Sequence, residues 1–112
     1  MDEVKKLKFR MRVLELVFLV LVGALFNLAA ISQNGGLMPV YSSTDYSGPR
    51  HFSFSDPSEV NAFYLTDIIK IGYFYVSIGD IVMVLAAFVL FLVVGKRTYY
   101  GIKSKLQRWY AA

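Results

Sequence analysis

Val13–Ile31 reads VLELVFLVLVGALFNLAAI, and a second apolar stretch, Ile81–Gly95, reads IVMVLAAFVLFLVVG. The first is broken only by Glu15 near its start, and no charge appears between Leu16 and Thr44. Nineteen residues rising about 1.5 Å each cover roughly 28 Å, close to the hydrocarbon thickness of a bilayer. The second stretch reaches the same length if its helix starts near Ile78 and runs past Lys96 and Arg97, whose long side chains can snorkel to headgroups. Both are expected to be transmembrane helices. A signal peptide is the competing reading of the N-terminus, but its apolar core would be shorter than this one.

The chain has 112 residues, enough for one small domain. It is 56% hydrophobic and 18% charged, with a mean hydropathy of +0.50, shifted from soluble averages toward membrane proteins. Cysteine is absent, which excludes disulfides, thiolate nucleophiles and Cys-ligated metal. Lys5, Lys6, Lys8, Arg10 and Arg12 precede the first span, and Lys96, Arg97, Lys103, Lys105 and Arg108 follow the second. Between the spans Arg50 and Lys70 face Asp45, Asp56, Glu59 and Asp67. The positive-inside rule therefore predicts cytoplasmic termini and an external loop. The net charge of +4 then suits anionic headgroups at the basic flanks, with no nucleic acid implied.

These readings divide the chain into a basic N-terminus (1–12), helix one (13–31), an external loop (32–76), helix two (77–97) and a basic, aromatic cytoplasmic tail (98–112). The expected fold is an all-α, two-span transmembrane helical hairpin. Asn34-Gly35-Gly36 signals a chain reversal, Met38-Pro39-Val40 an extended exit, and His51–Phe54 a short exposed strand. Asp56-Pro57 resembles a helix start, and Val60, Phe63, Tyr64 and Ile68 recur at helical spacing, predicting an amphipathic helix over about 58–69 on the outer surface. Tyr99, Ile102, Leu106 and Trp109 predict a C-terminal interfacial helix, with Gly101 as a bend.

Ser77-Ile-Gly-Asp80 has the form of a capping box, in which hydroxyl and carboxylate satisfy backbone N–H groups of the first turn. Antiparallel spans bring Asn27 level with Asp80, predicting an interhelical hydrogen bond, or else a polar pocket under the Asn34-Gly-Gly loop. Glu15 is expected to pair with Arg12, Lys96 or Arg97.

Three stretches carry a resemblance: Leu28–Val40 (LAAISQNGGLMPV), Leu65–Ile69 (LTDII) and Val76–Ile81 (VSIGDI). Together they resemble an uncharacterised family of small bacterial integral membrane proteins with N-G-G-x-M-P-V and F-S-x-G-D motifs. Val76 stands here for the motif's Phe. The resemblance directs attention to Asn34, Gly35, Gly36, Met38, Pro39, Asp67, Ser77, Gly79 and Asp80. It also implies spans ahead of the matched region, so partner helices from other integral membrane subunits are expected.

Catalytic patterns are thin. His51 is the single histidine, no metal-ligand spacing or phosphate loop appears, and no cofactor is implied. A loop enzyme built on His51 with Asp45 or Asp56 would need an oriented nucleophile and an oxyanion hole. The expected function is therefore a non-catalytic accessory subunit of a larger membrane complex. The alternative is a homo-oligomeric channel or carrier with a polar site at Asn27 and Asp80.

Overall fold

A computed structural model describes residues 2–42 and 48–111. Helix α1 spans Glu3–Gln33 and helix α2 spans Ile78–Ala111, paired antiparallel, with a small folded unit between them at one end. That unit contains strands β1 (Met38–Tyr41), β2 (His51–Phe54), β3 (Ile69–Ile71) and β4 (Phe74–Val76), with 3₁₀ turns at Pro57–Glu59 and Phe63–Leu65. The molecule is elongated, 68 × 26 × 19 Å.

Both helices are long and apolar enough to cross a membrane. Their most apolar windows are only 17% and 11% buried, so these are not core helices of a compact soluble domain. Outward faces carry Leu14, Phe18, Leu25, Val84, Phe88 and Phe91, all exposed. The buried helix residues are small: Gly23 and Ala30 in α1, Gly79 and Ala86 in α2. Small residues let two helix backbones approach closely, and that is how this pair packs.

Helix α1 begins before the apolar run because Asp2 caps it, its carboxylate accepting from the Lys5 backbone N–H at 2.8 Å. It ends where Gly35 and Gly36 take φ values of +72° and +88°, letting the Gly36 N–H donate back to the Ile31 carbonyl at 2.9 Å. This closes the last turn as a Schellman motif does, at positions where a side chain would be strained.

Strand β1 is the middle of the folded unit. Parallel β2 pairs with it in the register Met38–His51 to Tyr41–Phe54. On its other edge the Tyr41 N–H donates to the Asp67 carbonyl at 2.9 Å, and the Asp67 N–H donates to the Pro39 carbonyl at 3.0 Å. Pro39 is tolerated because on that edge only its carbonyl is used. Met38, Val40 and Phe54 are buried with Ala30 of α1. The rings of Tyr41, Phe54 and Phe63 meet one another in tilted and edge-to-face contacts, with centroids 5.4–6.0 Å apart.

The chain thus departs from a wholly helical reading by four short strands, and β2 ends in a buried Phe54 instead of lying exposed. No amphipathic helix forms over 58–69. A capping box of Asp56 and Glu59 starts a single 3₁₀ turn, but β-branched Val60 is extended (φ −131°, ψ 157°) and Ala62 is left-handed (φ 52°). The apolar spacing there serves two separate turns.

The expected interfacial helix at the C-terminus is likewise no separate element: α2 continues unbroken through Gly101 to Ala111. Lys, Leu, Gln and Arg are good helix formers, and extending an existing helix avoids a second nucleation. Glu15 makes no ion pair among the described residues. Arg97, one of its expected partners, instead lies over the Phe9 ring, 4.0 Å from its centroid.

Candidate functional site

Asn27, Ser77 and Asp80 form a closed hydrogen-bond circuit across the helix pair. The Ser77 hydroxyl donates to Asn27 Oδ1 at 2.5 Å, and Asn27 Nδ2 donates to Asp80 Oδ1 at 2.7 Å. Asp80 Oδ2 accepts the Ser77 backbone N–H at 3.1 Å, while Ser77 Oγ accepts the Asp80 N–H at 3.0 Å. Ser77 is fully buried. One carboxylate therefore caps α2 and holds α1, with both of its oxygens occupied. Each polar side chain is satisfied by the other two or by the first turn of α2, which is what groups away from water require.

Gly79 makes the circuit possible. A Cβ at this position would collide with the side-chain amide of Asn27 and lie 2.6 Å from the Gly23 carbonyl oxygen. Gly23 is thus a partner that sequence reading missed, although it is the single glycine of its span.

The reversal at Asn34 is clamped from a distance. Its Nδ2 donates to the carbonyls of Ala30 (2.7 Å) and Asn61 (2.8 Å), and its Oδ1 accepts the Asn61 N–H at 2.9 Å. Asn61 Nδ2 donates in return to the Gln33 carbonyl at 2.9 Å. Asn61 carries no local signal of this role. Its side chain matters because it meets a helix end 28 residues away.

Asp67 is only 4% exposed, and its Oδ2 lies 3.5 Å from His51 Nε2. Its Oδ1 is buried without a hydrogen-bond partner among the described residues. Burial, with a smaller contribution from the negative charge of Asp80, pushes the Asp67 carboxyl up to about 7. Asp67 also bridges to β1 through its backbone.

The motif positions therefore fall into three groups. Ser77, Gly79 and Asp80 meet Asn27, while Asn34, Gly35 and Gly36 shape the end of α1. Met38 and Pro39 are buried in β1, on which Asp67 is docked. His51 faces Asp67, with which the sequence does not pair it; of its two suggested partners, Asp56 accepts from the Ser58 N–H at 3.0 Å and Asp45 lies outside the described residues. Among the described residues no group of three or more His, Asp or Glu side chains is arranged to hold a metal ion.

Comparison with known proteins gives one family. The model of a family of unknown function (DUF5317) matches residues 7–94, covering all three groups. No curated protein and no solved structure matches the chain.

Proposed function

We propose, starting from the fact that the chain belongs to this family of unknown function, that it is a small non-catalytic accessory subunit. In this reading it stabilises or regulates a larger membrane complex. The helices lie in a bacterial plasma membrane with both termini cytoplasmic and residues 32–76 outside. The basic residues at the free ends of α1 and α2 then face anionic headgroups.

One observation carries the proposal. The helix pair joins Asn27, Ser77 and Asp80 to one another and leaves its large apolar side chains outward, with Leu14, Phe18, Leu25, Val84, Phe88 and Phe91 all exposed. Such a surface suits lipid and the flanks of other membrane helices. A homo-oligomeric channel lined by Asn27 and Asp80 draws less support, because these groups are already bonded to each other and to Ser77. A conduction path needs polar groups that face an opening.

Native mass spectrometry of the chain purified in mild detergent tests the reading. Unlike membrane subunits in fixed stoichiometry are the expected outcome. A homo-oligomer or a lone monomer overturns it.

A further inference from the structure

The β3–β4 hairpin is a two-stranded sheet of its own, separate from the β1–β2 sheet. It is an antiparallel ribbon, Ile69–Val76 and Ile71–Phe74 in register, turning at Gly72 with φ +60°. Its tip is strongly exposed and apolar: Tyr73 is 93% accessible and Phe74 70%. The hairpin folds back along α2 instead of standing clear of it. Ile71 and Val76 share one groove of about 360 Å³ with Asp80, Ile81, Val84 and Leu85. The Asp80 carboxylate is engaged with Asn27 and Ser77, which leaves the groove its apolar walls.

Val84 and Leu85 lie six and seven residues into α2, roughly 9–10 Å below its start at 1.5 Å per residue. Ile71 thus lines a groove that reaches into the apolar run beginning at Ile81. Strand alternation turns Lys70 and Tyr75 to the other face, where Lys70 Nζ sits 5.9 Å from the Tyr75 ring. One face of the hairpin is therefore continuous with the exposed side of α2, and the other presents a cation. The open edges of a two-stranded ribbon cannot sit in the hydrocarbon centre, which limits it to the headgroup boundary. Tyrosine is suited to that layer.

We propose that the β3–β4 hairpin is an interfacial anchor. Ile71, Tyr73 and Phe74 enter the outer leaflet beside α2, and a phospholipid acyl chain fills the groove between Ile71, Val76, Val84 and Leu85. This rests on the membrane placement proposed above.

Depth-dependent fluorescence quenching tests it. Trp109→Phe removes the single tryptophan, and Ile71→Trp, Tyr73→Trp, Phe74→Trp and Phe88→Trp are each added to that background. The full chain is reconstituted in phosphatidylcholine vesicles whose acyl chains are brominated near the headgroup or near the methyl end. The three hairpin reporters are expected to be quenched more by the shallow bromines, and the reporter at position 88 more by the deep ones. Quenching at 88 with none in the hairpin overturns the anchor while leaving the membrane reading intact. Red-shifted emission would then place the hairpin in water, and blue-shifted emission under another protein. No quenching at any position overturns both.

Discussion

Gly23 and Gly79 each occupy the space in which the other's side chain would begin. A Cβ built on Gly23 would lie 2.6 Å from the Gly79 carbonyl oxygen, and one on Gly79 would lie 2.6 Å from that of Gly23. Backbone stands against backbone here, so neither contact can be relieved by turning a side chain. The crossing point of α1 and α2 is set by the absence of two methyl groups. It lies one turn from Asn27, close enough for the crossing to deliver that amide to Asp80.

Gly23→Ala and Gly79→Ala should therefore each force the helices apart, costing about 1–3 kcal/mol as overpacked contacts do. Gly79→Ala should be the worse of the two, because its methyl also meets the Asn27 amide, which its hydrogen bonds hold in place, whereas a methyl on Gly23 meets Met83, whose flexible side chain can turn aside. Gly95→Ala and Gly101→Ala meet nothing within 4 Å and should stay within about 1 kcal/mol of the parent. Reversible unfolding in mixed detergent micelles compares the four, and equal effects at all of them would remove the crossing argument.

The circuit makes a sharper demand of Asp80. Asp80→Asn keeps size and shape but sets a donor against the Ser77 N–H or Asn27 Nδ2, and turning the Asn27 amide over to accept it takes the acceptor away from the Ser77 hydroxyl. It should cost as much as Asp80→Ala, about 1–2 kcal/mol, the scale of polar contacts between membrane helices. Asn27→Leu strands the Ser77 hydroxyl and should cost a similar amount. Because both changes break one circuit, the double variant should fall well short of their sum. Additive losses would mean the bonds act separately.

What the sequence makes legible here is what depends on local arithmetic. Uninterrupted apolar length marks both helices, and a 1.5 Å rise counted from two antiparallel ends brings Asn27 level with Asp80. Met38–Val40 and His51–Phe54 read as extended and are strands, but how the unit pairs is illegible for the opposite reason, since its bonds join Pro39 to Asp67 and Asn34 to Asn61 across long stretches of chain. Helical spacing over Val60–Ile68 misleads because tertiary bonds at Asn61 override a weak propensity. Gly23 resembles any glycine in an apolar run until its partner helix is in place.

The Asn34–Asn61 clamp should separate the stability of the loop unit from that of the helices. Asn61→Ala removes the bond to the Gln33 carbonyl, and Asn34→Ala removes three bonds. Asn34→Asp should not rescue the loss, because a carboxylate oxygen would face the Ala30 and Asn61 carbonyls. Amide exchange at Asn61 and Leu65 is expected to rise about tenfold or more, as a loss of roughly 1.4 kcal/mol gives. Exchange in the middle of α1 should not change. A uniform rise along the whole chain would show that loop and helices open as one unit.

Asp67 should make the loop unit less stable as pH rises through neutrality. Its carboxyl moves from an ordinary 3.8 to about 7 in the folded chain, chiefly through burial. Between about pH 4 and 7 the folded state holds a proton that the unfolded chain has released. Stability is therefore greatest in acid and declines with pH by up to about 1.4 kcal/mol per unit, levelling above 7. Asp80 on α2 opposes the carboxylate, and the His51 ring on β2 lies 3.5 Å from it. Asp67→Asn should flatten the profile and leave the variant more stable than the parent at pH 8, since an amide carries no charge to bury. Amide-exchange protection of Tyr41, whose N–H donates to the Asp67 carbonyl, reads the effect where it arises. A flat parent profile from pH 5 to 8 would mean that this carboxyl reaches water in the folded chain.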